Sequence, residues 1–394
     1  MKKILISFAA IACALSMHAA GTVDDTMNPL ITSMPSLSIA PDARAAGMGD
    51  VGVSTDADFN AQFWNPAKYA YMYTNGGITA NYTPWLRKLV NDIDLAYLAG
   101  FYNFGDLAGG IGASFTYFSL GDVALMDGSG QKIQDVRPNE WALDISYFRK
   151  LHEYVSMSVA VRFMYSDLNN GANNDNMRPA KTAAADIGLY YRQPLDLPMG
   201  TSHLSVGFTI KNLGGKMTYD NVTYNFIPAS MNLGINYELP FDKYNSLTFN
   251  IETNKMLVPS RKSRFTEGFN PADESTWQMS EIAYSALNPA RGWFQSFADA
   301  PGGAKEEFAE VRWGAGLEYT YNKQFFARAG YSYENYYKGN RNYLTFGAGF
   351  HLSIVTLDVS YCVGLAATNP LDQTMRFTLG FDLAGIKDLV NNKR

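Results

Sequence analysis

Two cysteines are all that this 394-residue chain contains, Cys13 and Cys362. Cys13 falls in an N-terminal apolar run that reads as a cleaved export signal, so the mature chain keeps Cys362 alone. That excludes an intrachain disulfide and any zinc or iron–sulfur centre built from several thiolates. Histidine is nearly as scarce. His152, His203 and His351 follow the signal, and none has a neighbour at metal-ligand spacing. Long hydrophobic runs are missing too. Past the signal, no stretch reaches the roughly 18 apolar residues of a membrane-crossing helix. Basic charge is the minority, 32 Lys+Arg against 37 Asp+Glu, which argues against nucleic acid as a partner.

Catalytic motifs are absent as well. Gly128-Ser129-Gly130 lacks the G-x-S-x-G elbow of a serine hydrolase. Gly47-Met48-Gly49-Asp50-Val51-Gly52 fits the dinucleotide fingerprint G-x-G-x-x-G. That motif works only between a buried strand and a helix whose N-terminus holds the pyrophosphate. Pro41-Asp42-Ala43-Arg44 before it and Val53-Ser54-Thr55-Asp56 after it supply neither. No enzyme and no cofactor is expected.

What the chain does have begins with export. Lys2-Lys3, the apolar run Ile4–Leu15 and the small residues Ser16–Gly21 make residues 1–20 a secretory signal peptide. Aromatics are abundant, with 25 Tyr and 24 Phe. From residue 76 to 383 the chain reads as about fourteen alternating segments. In one, Leu204, Val206, Phe208 and Ile210 alternate with Ser205, Gly207, Thr209 and Lys211. In another, Met375, Phe377, Leu379 and Phe381 alternate with Arg376, Thr378, Gly380 and Asp382. Most segments approach the ~10 residues that a tilted strand needs to cross a bilayer.

A soluble β-sandwich and an outer-membrane barrel alternate alike, so the connections must decide. Joints after even-numbered strands are short, as at Gly105-Asp106 and Asn322-Lys323, with a somewhat longer one at Pro194–Thr201. Joints after odd-numbered strands are mostly long: 121–138, 168–181, 213–228, 256–309 and 364–373. Short periplasmic turns against long external loops are the pattern of an outer-membrane barrel. The fold expected is therefore all-β, a transmembrane antiparallel β-barrel of about 14 strands in contact with outer-membrane lipid.

Residues 21–75 are expected to be an extension and plug, or hatch, in its lumen. Leu37–Tyr71 carries glycines and buried-type aromatics that a free tail does not need. Its candidate residues are Arg44, Gly47, Gly49, Asp50, Gly52, Asn65, Pro66 and Ala67. Asn65-Pro66 suits a helix N-cap followed by the first helical position, or an ordinary loop turn. Charges of both signs fall on polar strand faces, at Asp144, Arg162, Asp186, Glu238, Glu252, Arg312, Glu318, Arg328, Asp358 and Arg376. They read as paired networks that fill a narrow lumen and hold a plug. The Asn-rich loop 168–181 is expected at the surface. The insertion 256–309 keeps Trp277, Trp293, Phe294 and Phe297 and has a short helix near Ser280–Leu287. It is either a lid over the extracellular mouth or a partner-binding surface.

The segment ending in Asn65-Pro66-Ala67 resembles the hatch of FadL-type barrels, which move hydrophobic compounds across the outer membrane. A closer likeness covers nearly the whole mature chain. LSIAPDARAAGMGDVGVSTD, YTPWLRKLVNDIDLAYLAGFY, FFARAGYSYENYYKGNRNYLTFGAGF and NPLDQTMRFTLGFDL are similar to the PorV family of the type IX secretion system. The resemblance implies a fourteen-stranded barrel. It also implies a function: binding the C-terminal signal domain of secreted cargo at the translocon barrel, then shuttling it to a surface attachment complex. A FadL-like outer-membrane channel for hydrophobic compounds is the alternative. Ala384–Arg394 departs from the pattern, being a polar tail where many barrels end on an aromatic.

Overall fold

The computed structural model describes residues 29–386 except 89, 91, 127–130, 171–176, 262–269, 271–272, 366–368 and 370. The expected signal peptide, the middle of the Asn-rich loop and most of the polar tail lie outside the described residues.

The chain enters the sheet at β1 (Gly76–Pro84), β2 (Asp94–Asn103) and β3 (Gly110–Ser119). A small hairpin of β4 (Val123–Met126) and β5 (Lys132–Val136) follows. The wall resumes with β6 (Asn139–His152), β7 (Val155–Asp167), β8 (Ala180–Leu197), β9 (Gly200–Gly214), β10 (Ser230–Pro240) and β11 (Asn245–Met256). It ends with β12 (Val311–Tyr321), β13 (Phe325–Tyr333), β14 (Tyr343–Leu352), β15 (Val355–Gly364) and β16 (Met375–Asp382). All but β4 and β5 form one closed antiparallel barrel of fourteen strands. Closure is by β1 on β16, with Ile78 opposite Phe381 and Tyr82 opposite Phe377.

The alternation has a physical sense opposite to that of a soluble protein. On β7, Val159, Val161 and Phe163 are exposed on the outside, while Ser158 and Arg162 are buried within. Outward apolar side chains meet lipid, and the inward polar ones are covered because the bore is filled. Around the ring each strand has a paired neighbour on both sides, so no edge strand is exposed to a bilayer.

Loop length sorts by end as expected. One end carries the connections 104–109, 153–154, 198–199, 241–244, 322–324 and 353–354. Asn322 and Lys323 both adopt φ 53°, the left-handed pair that a tight hairpin with the strands' own twist requires. The other end carries the connections 85–93, 168–179, 215–229, 257–310, 334–342 and 365–374, and the β4–β5 hairpin.

Two details differ from the sequence reading. The joint placed at Pro194–Thr201 is paired strand: the β8–β9 ladder runs through Pro194↔His203 to Leu197↔Gly200. Pro194 reads as a breaker, yet β7 has ended its pairing at Val155↔Tyr191, so this proline stands on a free edge. The loop 121–138 contains the β4–β5 hairpin, whose strands are too short to show a period.

Candidate functional site

The plug fills the bore with short helical turns joined by buried loop. Asp42 caps the helix Ala43–Ala46, its carboxylate accepting from Ala45 N at 2.9 Å. The same carboxylate accepts from Trp64 Nε1 at 2.6 Å, tying the start of the plug to its end. Asn65 is an N-cap: its side chain accepts from Ala67 N at 3.2 Å, and Pro66 opens the 3-10 helix Pro66–Tyr71. Its amide also donates to Leu189 O on β8 at 2.9 Å. One residue therefore shapes the plug and fastens it to the wall.

The three glycines of the would-be nucleotide motif serve close packing instead. A Cβ on Gly47 would lie 3.0 Å from Gly347 Cα. One on Gly49, whose φ is +79°, would lie 2.6 Å from Tyr331 O. One on Gly52 would lie 2.2 Å from the Trp64 ring. At Gly47 and Gly49 the plug backbone thus runs against the wall, and at Gly52 against the plug's own Trp64, where a side chain does not fit.

Charge holds the rest. Arg44 reaches Glu318 on β12 through two bonds, 3.1 and 2.9 Å, and Asp58 of the plug at 2.9 Å. Glu318 in turn accepts from Arg328 at 2.6 Å, and Arg328 pairs with Asp358 at 2.5 Å. The result is an alternating chain across three strands and the plug. A second cluster lies within the wall: Arg162 pairs with Asp144 at 2.5 Å and Asp186 at 3.1 Å. It also binds the Asn212 side chain at a bulge of β9, where φ is 58°. Glu252 on β11 accepts the amides of Gly52 and Val53 at 2.8 and 2.9 Å. Lys68 donates to Gly52 O at 2.7 Å and to Thr55 Oγ1 at 2.9 Å. Lys211 on β9 donates to Phe63 O at 2.6 Å. Asp50, at φ 60°, accepts from the Tyr343 hydroxyl. Sequence reasoning singled out Glu252, Glu318, Arg328 and Asp358 as polar-face charges. It missed Asp42, Trp64 and Lys68, whose signal was only that they share one glycine-rich segment.

Between plug and wall lies a cavity of about 80 Å³. Small-molecule sites run roughly 300–1,000 Å³ and are mostly apolar. Every neighbouring pair of barrel strands is hydrogen-bonded, so the barrel sheet is closed all round.

The described part of the insertion 257–310 packs on the long-loop end of the barrel and is called the cap below. Ser280 caps the helix Glu281–Ala286, as the sequence suggests, accepting from Ala283 N at 3.3 Å. Two further helices follow, Pro289–Gln295 and Ala304–Ala309. Tyr284 of the first packs on Phe226 and Val258. Lys255 at the end of β11 pairs with Glu307 and Glu310 at 2.8 and 2.9 Å. Lys338, from the β13–β14 loop, pairs with Glu306 and Glu310 at 3.0 and 2.9 Å. Asp299 accepts from Ser260 N at 2.9 Å. Burial, and then the charges of Glu310 and Glu307, push its carboxyl up to about 7.

The four aromatic candidates of the insertion divide. Trp277 is half-buried, its Nε1 donating to Asn270 O at 3.2 Å and its ring 4.7 Å from the Arg261 guanidinium. Trp293 is half-buried too, its Nε1 without an acceptor among the described residues. These two pack the cap. Phe294 is 79% exposed, and Phe297 also faces out. Sequence reasoning missed Ile282 and Phe308, which are 84% and 73% exposed on the same cap. A single apolar residue in a six-residue helix carries no period that would mark it.

A closed fourteen-stranded barrel with an N-terminal plug and short turns at one end has the architecture of an outer-membrane β-barrel. A solved TodX monoaromatic hydrocarbon channel carrying the deltaS2S3 mutation shares the fold (TM-score 0.50, 12% identity, 86% of this chain and 96% of that one). The toluene transporter TbuX of Ralstonia pickettii is similar over 86% of this chain and 97% of its own (TM-score 0.48, 13% identity). A Pseudomonas aeruginosa FadL homologue is similar over 90% and 99% (TM-score 0.42, 12% identity). No curated protein matches the chain. The family model described as Type IX secretion system protein PorV matches residues 22–263, and the chain belongs to that family. The match takes in the plug and the wall through β11. The family is one of type IX secretion.

Proposed function

We propose that this barrel is a non-catalytic carrier of type IX secretion. On this reading it binds the C-terminal signal domain of secreted cargo at the translocon barrel and delivers it to the surface attachment complex. The long-loop end then faces the cell surface, and cargo is received on the cap. The observation that carries the reading is the pairing of a blocked bore with an apolar outer cap. Phe294 and Ile282 stand in solvent over a lumen filled by plug and ion pairs. Such exposed aromatic and aliphatic groups are the types that anchor protein interfaces.

A FadL-like channel for hydrophobic compounds is the second reading, favoured by the monoaromatic hydrocarbon channel that shares the fold. The small, polar cavity and the closed barrel sheet weigh against it. The test is a pull-down from outer membranes with Phe294→Ala and Phe297→Ala combined. The carrier reading expects cargo to be lost while the heat stability of the barrel is kept. Unchanged secretion in a strain lacking the protein, with impaired uptake of a hydrophobic solute, would establish the channel instead.

A further inference from the structure

The plug crosses the bore from end to end. Its last residues leave by the short-turn end. Ala67 O accepts from Ser156 Oγ at the foot of β7 at 2.7 Å, and the Tyr71 hydroxyl donates to Glu153 O in the turn before that strand at 3.2 Å. Its first residues lie at the opposite end. Ser33 N donates to Phe226 O in the 215–229 loop at 2.9 Å. The Ser36 hydroxyl donates to Glu140, the second residue of β6 as that strand descends from the long-loop end. Met34 and Leu37 pack with Ala142, Met164 and Ala180, in the long-loop halves of β6, β7 and β8. Before Ser33 the chain turns outward, and Ile31 is 67% exposed.

Phe226 joins this N-terminal end to the cap. Its carbonyl holds Ser33, and its ring lies 5.1 Å from that of Tyr284 in the helix Glu281–Ala286. From the same loop Tyr224 N donates to Ser285 Oγ at 3.1 Å, and Lys216 donates to Tyr284 O. Three exposed aliphatic residues flank the junction. Ile31 stands two positions before Ser33, Val222 (76% exposed) two before Tyr224, and Ile282 two before Tyr284. An isolated exposed apolar residue is ordinary, whereas several brought together from different segments mark an interaction surface.

We propose that the N-terminal end of the plug is displayed on the outer face of the barrel, where it shares with the 215–229 loop and the first cap helix one apolar contact surface for the cargo domain. The proposal rests on the carrier reading, in which the long-loop end faces the cell surface. The partner that fits is a protein face with an apolar patch, since the cation at the junction, Lys216, is engaged by the Tyr284 and Ser285 carbonyls. Threading also fixes the plug. It cannot leave toward the periplasm unless its N-terminal end is drawn back through the barrel.

The experiment has two readouts on the full chain in cells. A membrane-impermeant maleimide is applied to cells carrying Ile31→Cys, Val222→Cys or, in an exposed position of the short turn 104–109, Leu107→Cys. The wild type sets the background, because its Cys362 is buried. Intact cells are expected to label Ile31→Cys and Val222→Cys, and to label Leu107→Cys only after the outer membrane is opened. A benzophenone amino acid at position 31 is then expected to give adducts with secreted cargo, as one at position 294 does on the carrier reading. Val222→Cys labelled on intact cells while Ile31→Cys is not would overturn the threading. Ile31→Cys labelled, with cargo crosslinked from position 294 and none from position 31, would overturn the shared surface and leave the carrier reading standing. No cargo from either position, or Leu107→Cys labelled on intact cells, would overturn the carrier reading and the proposal with it.

Discussion

Arg44 of the plug sits between Asp58 and Glu318, and Glu318 passes the alternation on to Arg328 and Asp358. In the cap, two cations, Lys255 and Lys338, face Glu306, Glu307 and Glu310, with Asp299 close by. Both segments close the same bore, but the plug adds backbone contact to charge. Gly47 and Gly49 bring its main chain against β14 and β13, and Glu252 takes two of its amides. The cap helices rest on the β9–β10 loop, with Lys216 donating to Tyr284 O and Gly292 close against Phe226, yet they leave Phe294 and Ile282 in solvent. On the proposed reading the plug belongs to the permanent structure and the exposed face of the cap is where partners would exchange.

Breaking the plug's charge chain should give the largest effect. Glu318→Gln leaves Arg44 and Arg328 facing each other, and removing one partner of a buried pair costs about 3–5 kcal/mol. Urea unfolding of the barrel in detergent reads this as a lower midpoint. Gly49→Ala should come next. Its added Cβ meets Tyr331 O at 2.6 Å with φ at +79°, and strain of this kind costs about 1–3 kcal/mol. The same measurement checks it, and a neutral result would mean that the plug is not pressed against β13. Phe294→Ala should be nearly silent in stability, within about 0.5 kcal/mol as for exposed positions, yet reduce the cargo that co-purifies.

The smallest effect concerns pH. Asp299 ionises near 3.8 when free but at about 7 in the folded cap. The folded state therefore prefers its protonated form. That stability is complete below 3.8, declines as pH rises, and is gone above about 7. Protease nicking of the cap should accordingly increase from pH 5.5 to pH 8 (chosen to bracket the folded value), and Asp299→Asn should flatten the dependence.

The barrel was legible because period two over ten residues and the parity of loop lengths are both properties of sequence alone. The plug was legible as a segment through its glycines and aromatics. Its partners were not: Arg44 and Glu318 are 274 positions apart, and only closure of the sheet brings them together. Pro194 misled because the rule against proline in strands applies to paired positions, and whether a position is paired depends on where the neighbouring strand stops. The cap showed its aromatics but not their division. Whether Trp293 packs inward and Phe294 outward is a matter of helix phase in a seven-residue helix, Pro289–Gln295.

The central claim is that cargo meets the cap and never the bore. Photo-crosslinking in cells tests it most directly, with a benzophenone amino acid placed at Phe294 in one strain and at the buried plug residue Gln62 in another. The account predicts adducts with secreted cargo from position 294 and only barrel-internal adducts from position 62. Cargo crosslinked from position 62, or no cargo from position 294 while secretion proceeds, would contradict it.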